Sequence, residues 1–298
     1  MIVNGANLRM LGVGFSTAFK RGVSRNPNPQ YRRIAMVVPS ATAANQYGWL
    51  GDMPRIREWI GDRVIKSIRT HGYTIENRDF EFTLGVKRTN IEDDNVGIYS
   101  PLFEELGQQT AEFPDEMVWP AFKAGFSTPC YDKQFMFDTD HPVLDENGVE
   151  YSVSNFGGGS GTPWFLVDDT RVVKPMVWQE RKQFGWVSKD REEDDNVFMR
   201  KEFLYGTDGR FNVGYGFWQL VYASKQPLTP ENYEAARVAM RSMKGDYGRP
   251  LNLKPNLLVV PPSLEGAAKE ILENERNSAG ATNKWRNTAE LLDVSWLS

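Results

Sequence analysis

The chain has 298 residues, 40% apolar and 25% charged, which is ordinary globular usage for about two domains and excludes a disordered or fibrous protein. Its net charge of −4 and pI near 5.5 argue against a nucleic-acid binder that is basic overall, and a single cysteine, Cys130, excludes an intrachain disulfide framework and a Cys-based zinc site. No stretch reaches the roughly 18 apolar residues of a membrane span, and Arg9, Lys20 and Arg21 interrupt the place where a signal peptide would need its apolar run, so the expectation is a protein that stays in the cytosol where it is made.

The charge is unevenly spread. Arg9, Lys20, Arg21, Arg25, Arg32 and Arg33 all precede the first acid, Asp52, so a basic segment leads an acidic body. Within it, Leu8, Leu11, Phe15 and Phe19 recur at helical spacing and predict a short amphipathic helix despite Gly12 and Gly14. Asn26-Pro27-Asn28-Pro29 then forces extended chain, because proline fixes its own φ and disfavours the α region before it. The segment therefore reads as an arm that reaches away from its own domain.

Between residues 63 and 88, Val64, Ile65, Ile68, Tyr73 and Ile75 precede a polar turn at Glu76-Asn77-Arg78-Asp79. Phe80, Phe82, Leu84 and Val86 then alternate strictly, so the expectation is a two-stranded hairpin. A lone hairpin is marginal in water, so it docks either on its own domain or on a neighbour. Ser100-Pro101 signals a helix start, with Leu102, Phe103 and Leu106 on one side and Met117, Val118 and Phe122 after Pro114. Pro114 and Pro120 leave open one long kinked helix or two collinear ones ending near Gly125.

From Trp164 to Ser224 the chain reads as β structure. It includes a run from Val172 to Trp178 and a long ribbon formed by Val197–Tyr205 and Phe211–Tyr222 around a turn at Gly206-Thr207-Asp208-Gly209. Thr229 and Pro230 open a helix whose buried stripe is Tyr233, Ala236, Met240 and Met243, with Leu228 stapled onto Tyr233. A strand Leu257–Val260, a helix capped by Ser263 and a last strand near Ala289–Trp296 complete an α+β or α/β layer.

Acid–base chemistry near neutral pH has only His71 and His141 to draw on. Asp138-Thr139-Asp140-His141-Pro142 has two carboxylates and an imidazole within reach of one cation, but the same residues close a turn before proline, and that is the favoured reading. Gly157-Gly158-Gly159-Ser160-Gly161-Thr162 lacks the ending of a phosphate loop and the pattern of a nucleophile elbow. Glu92-Asp93-Asp94 and Glu192-Glu193-Asp194-Asp195 read as solvated faces. The expectation is no catalytic residue, no metal and no cofactor.

Four segments in order then resemble the major head protein of Mu-like phages and prophages, the gpT family. They are Tyr47–Gly51 running into Arg57–Arg63, Phe137–Pro142, Gly214–Leu220, and Gly248–Leu251 running to Leu257–Pro262. The resemblance implies an α+β fold of the Hong Kong 97-type, that of tailed-phage major capsid proteins. Its parts would be an N-terminal arm (1–54), an E-loop region (55–92), a peripheral domain with a long spine helix (93–126 and 196–226), and an axial domain with connecting segments (127–195 and 227–298). It implies a structural protein, not an enzyme, that assembles with itself as hexamers and pentamers into an icosahedral head. Its partners would be a scaffold protein, portal and decoration proteins, and packaged double-stranded DNA held non-specifically, with no membrane; its place would be the virion, assembled in the host cytoplasm.

Under this resemblance the arm residues Arg9, Phe15, Phe19, Arg32 and Arg33, together with Tyr73, are expected at subunit interfaces. Arg63, Lys66, Arg69, Arg78, Lys87 and Arg88 would meet Glu92, Asp93 and Asp94 or Glu192–Asp195 of an adjacent subunit. Phe80 and Phe82 would carry affinity there, unless they pack into their own domain. Gly61, Gly72 and Gly85 would serve as hinges if the shell expands, and no residue matches a covalent crosslinking motif. Two rival classes remain: a carbohydrate-active enzyme whose nine tryptophans line a glycan cleft between paired carboxylates, and a DNA-binding protein that uses the basic arm.

Overall fold

A computed structural model of the chain describes residues 2–50, 72–93, 96–276 and 280–298. It opens with helix α1 (Gly5–Val23), whose N-cap Asn4 accepts from the amides of Ala6 and Asn7 at 3.1 and 2.9 Å, while Lys20 and Arg21 occupy the last turn. Strand β1 (Ala35–Pro39) follows, then β2 (Ala44–Gln46), β3 (Thr74–Glu76) and β4 (Arg78–Lys87). A short helix α2 (Arg88–Glu92) leads to the long helix α3 (Tyr99–Lys123). Next come β5 (His141–Leu144), β6 (Glu150–Val153), β7 (Phe156–Gly159), β8 (Trp164–Val167) and β9 (Met176–Lys189). Helix α4 (Asp195–Arg200) joins β9 to β10 (Glu202–Tyr215), and β11 (Val221–Lys225) and α5 (Pro230–Ser242) follow. The chain closes with β12 (Lys244–Gly245), β13 (Arg249–Pro250), β14 (Leu257–Val260), α6 (Glu265–Leu272) and β15 (Glu290–Asp293).

Two sheets organise these elements. The first has the order β1-β9-β10-β4, with β1 parallel to β9 and both other pairings antiparallel. The second has the order β15-β14-β8-β11-β7 and is covered by α5 and α6. Its β8 and β14 are buried at every position, as the unbroken apolar runs Trp164–Val167 and Leu257–Val260 require. Helix α3 bridges the two. Phe103 and Leu106 near its start lie in a cluster with Leu8, Phe15 and Phe19 of α1, Val86 of β4 and Tyr205 of β10. Val118, Trp119 and Phe122 near its end lie in the main core, where the Phe122 ring is 4.6 Å from that of Phe165.

Several expectations are corrected here. The predicted helix exists, but it does not reach away: α1 lies along α3, and a methyl on Gly22 or on Gly107 would overlap the other helix's backbone at Glu104 or Phe19. Two glycines facing each other let the helix axes approach, so the arm's stripe is spent inside its own chain. The expected hairpin does not form among the described residues; β3 pairs with β2, and β4 pairs with β10. Ile75 and Val86 are buried by these partners, which a two-stranded ribbon alone would not achieve.

Helix α3 is one helix across both prolines, and it starts at Tyr99 with no side-chain cap, so Ser100 is not its N-cap. Ser263 is likewise not a cap, because a 3-10 turn at Pro262–Leu264 leads into α6. The predicted turn at Gly206–Gly209 lies inside β10, which runs straight through it to Tyr215. Gly206 is there because β4 passes too close for a side chain, and the ladder shifts register between Asp208 and Arg210 as a bulge. The real turn of the ribbon is the acidic loop plus α4 between β9 and β10. Val172–Lys174 precede β9 rather than belonging to it. Sheet membership also departs from the expected partition: β9 joins β10 in the first sheet, and β11 belongs to the second. Around α5 the reading holds, with Thr229 Oγ1 accepting from Asn232 N at 3.3 Å, Pro230 in the first turn, and Tyr233, Ala236 and Met240 buried.

Candidate assembly surfaces

The residues expected at interfaces fall into three groups. Phe15, Phe19, Arg33 and Tyr73 are committed within the chain. The Phe15 ring lies 4.4 Å from Phe103 and 5.2 Å from Tyr205, and Phe19 packs on Trp186 at 5.6 Å, so neither offers a surface to a neighbour. Arg33 donates to both Glu290 oxygens at 2.9 Å and also pairs with Asp169, tying the segment before β1 to the second sheet. Asp169 is raised by burial, but hydrogen bonds from Asn256 and Arg33 outweigh that and hold it below the usual carboxylate range; Arg33 does the same for Glu290. The Tyr73 hydroxyl accepts from the Tyr215 amide at 2.7 Å.

Arg9, Arg32, Arg78, Lys87, Glu92 and Asp93 are exposed, while Arg88 is half-buried and pairs with Glu92 at 3.0 Å across one helical turn. The Arg78 guanidinium sits 5.5 Å over the Phe80 ring. Phe80 is half-buried against Phe113 at 4.8 Å, whereas Phe82 is 48% exposed, so the two phenylalanines divide between the chain's own core and its surface. Arg63, Lys66, Arg69 and Asp94 lie outside the described residues, as do His71 and Gly61.

Between β4 and α3 the chain leaves a groove of about 420 Å³. Its walls are apolar: Phe80, Phe82 and Leu84 from β4 face Leu102, Leu106 and Phe113 from α3. Phe82 and Leu102 stand about half exposed at its mouth, at 48% and 49%. Glu81, Glu105 and Glu116 rim it, and none makes an ion pair among the described residues. β4 is also the edge strand of its sheet, so its outer backbone groups have no strand partner among the described residues.

The second exposed feature is the tip of the β9–β10 ribbon. Arg191, Glu192, Glu193 and Asp195 are exposed there, and α4 turns Phe198 and Met199 outward at 82% and 75% exposure while Val197 is buried. Arg200 and Lys201 follow, both exposed, with Lys201 in the left-handed region at φ 55°. The sequence reading placed these residues in a strand and so missed the knob. Its signal was the pairing of two large apolar residues with two cations directly after an acidic loop.

The cluster suspected around His141 assembles differently. Asp138 closes its turn through the amides of Phe135 and Thr139, at 3.2 and 2.7 Å, and Asp140 accepts from Ser152. His141 is buried instead beside Cys130 and Asp132, its Nδ1 2.8 Å from Asp132 Oδ2, its ring stacked on Trp218 at 3.9 Å and 8°. Asn155 donates through Nδ2 to Met136 O and Trp218 O at 2.9 and 3.2 Å, which leaves its Oδ1 to accept from His141 Nε2 at 3.2 Å. Burial and the neighbouring carboxylate push the Cys130 thiol well up. This network pins the loop before β5 onto the core through satisfied hydrogen bonds. Four of the tryptophans of the rival glycan reading are structural: Trp119, Trp164, Trp178 and Trp218 are fully buried.

Comparison with known proteins follows the same direction. The family described as "Mu-like prophage major head subunit gpT" matches residues 8–297. The chain is 42% identical over 306 residues to the "Major capsid protein" of Escherichia phage Mu, covering 100% of both. It is 48% identical over 275 residues to the "Mu-like prophage FluMu major head subunit" of Haemophilus influenzae, covering 90% of this chain and 89% of that one. Among solved structures it is similar to the procapsid protein of bacteriophage JBD30, with a TM-score of 0.88 and 44% identity over 99% of this chain and 100% of that one. It is also similar to the JBD30 capsid, with a TM-score of 0.76 and 36% identity over 91% and 92%.

Proposed function

The chain belongs to the family of Mu-like prophage major head subunits, gpT, and from that premise we propose how it builds a head. It is a structural capsid protein with the α+β, Hong Kong 97-type fold, not an enzyme, and it self-assembles into a capsid. In the proposed assembly, copies gather as hexamers and pentamers into an icosahedral shell around packaged double-stranded DNA. A scaffold protein guides closure in the host cytoplasm, and portal and decoration proteins join the shell. The first sheet with α1 and α3 serves as the peripheral domain, and the second sheet with α5 and α6 as the axial domain around capsomer centres. The observation that supports this most is the full-length match to a procapsid subunit, because the chain then already has the form in which a related subunit sits in a shell.

The surface contacts proposed to set register are ionic. Arg78 and Lys87 stand exposed at the two ends of β4, and Glu192, Glu193 and Asp195 stand exposed on the ribbon tip. Between neighbours these charges would orient subunits more than they would add affinity. Repetition of weak contacts lets a misplaced subunit leave before closure. The test is light scattering and negative-stain electron microscopy on the protein made with its scaffold. Rings, tubes or closed shells are expected, with lower yield when Arg78 and Lys87 are changed to Glu. A stable monomer under these conditions overturns the assembly reading, and an unchanged yield for the reversed pair at moderate salt overturns the ionic contacts.

A further inference from the structure

We propose that Phe198 and Met199 at the ribbon tip of one copy seat in the groove between β4 and α3 of a second copy, with Arg200 and Lys201 facing the groove's glutamates. This rests on the capsid reading and names one contact that would join its subunits.

The groove calls for an occupant that is apolar in the middle and basic at its edge. Its walls are phenylalanine and leucine, and its rim carries Glu81, Glu105 and Glu116 without ion-pair partners among the described residues. The ribbon tip has that character. Phe198 and Met199 are the only sequence neighbours among the described residues that are both large, apolar and exposed, and the two cations after them also lack ion pairs there. An aromatic and a methionine suit an apolar pocket of about 420 Å³, since methionine adapts to irregular gaps and aromatics dominate interface energetics.

The knob does not fill the groove of its own chain: Phe198 and Met199 stand 82% and 75% exposed and neither lines it. Glu202, just after α4, pairs with Lys87 at one end of β4, and the Arg88 amide donates to Lys201 O at 2.8 Å, which anchors the tip there. The groove runs along β4 from Phe80 to Leu84, whose partners Gly209 and Tyr205 lie seven and three positions beyond Glu202 on β10. With knob and groove held apart on one subunit, the contact must pass head to tail between copies. A heterologous contact of that kind closes into rings when its rotation permits, which is the symmetry a capsomer needs.

Two experiments on the full-length protein made with its scaffold test the proposal. In the first, Gln109→Cys is combined with Phe198→Cys, assembled particles are oxidised, and free thiols are alkylated before denaturation, the native Cys130 being buried. A disulfide-linked ladder that needs both new cysteines is expected. In the second, Glu105→Lys with Glu116→Lys, and separately Arg200→Glu with Lys201→Glu, should each cut particle yield about tenfold, the size expected for a lost interface contact, and the combined variant should recover it. Circular dichroism melts of each variant identify folded chains. Wild-type particles accompanied by no cross-link, or by reversals that change nothing or show no recovery when combined, overturn this contact and leave the capsid reading standing. A wild-type chain that forms no particle overturns both.

Discussion

At the residue scale, the position of the N-terminal helix depends on two hydrogen atoms. Gly22 and Gly107 sit where α1 and α3 touch backbone to backbone. Gly107→Ala is expected to cost about 1–3 kcal/mol or more, because neither helix can yield without unpacking Phe15, Phe19 and Phe103; a urea denaturation midpoint measures it, and an unshifted midpoint would refute the close crossing. Arg33 gives a second prediction. Its partners Asp169 and Glu290 titrate below their usual values when folded, so the stability they contribute is present above the unfolded carboxylate range and is lost as pH falls through the lower folded values. Melting temperature should therefore fall between about pH 5 and pH 3, and fall less steeply in Arg33→Met, which has already lost the clamp. Equal slopes would show that the clamp adds nothing. Little of this was legible in the sequence: Arg33 reads as one more cation of a basic arm, and nothing local says that its carboxylates lie at positions 169 and 290.

At the element scale, periodicity located α1, α3, α5 and the strand Leu257–Val260 because each has a buried stripe or run of its own. Pairing was less legible. The alternation of Phe80, Phe82, Leu84 and Val86 identifies a strand, but its partner β10 is more than a hundred residues away, so a sequence-local hairpin was the natural and incorrect guess. Glycines misled in the same way, since Gly206 and Gly209 mark a close strand crossing and a bulge inside β10 rather than its turn. The groove escaped for the same reason, being made by one face of α3 and a strand assigned elsewhere. Because α1 belongs to the same cluster as Phe103, Val86 and Tyr205, its amides are expected to exchange with those of α3 as one unit in hydrogen–deuterium exchange. Full exchange of residues 8–22 within seconds, while α3 stays protected, would restore the free-arm reading.

At the scale of the whole molecule, α3 carries the argument. Its first half is held by α1 and the first sheet, and its second half touches both sheets, Phe113 packing on Phe211 and Phe122 on Phe165, so a single helix ties the two layers together. Such a subunit has its main core closed within the chain and keeps for assembly what the core does not use: the β4 edge, the groove beside it and the ribbon tip. Family resemblance gave the kind of particle from a few motifs, but not which surfaces build it, because burial inside the chain and exposure to a neighbour demand the same apolar residues. The most direct measurement is a cryo-electron microscopy reconstruction, at side-chain resolution, of shells assembled from this protein and its scaffold. The account predicts closed shells in which α1 packs on α3 of its own chain and the β4/α3 groove holds Phe198 and Met199 of a neighbour. Shells with α1 lying across an adjacent subunit and that groove open to solvent would contradict it.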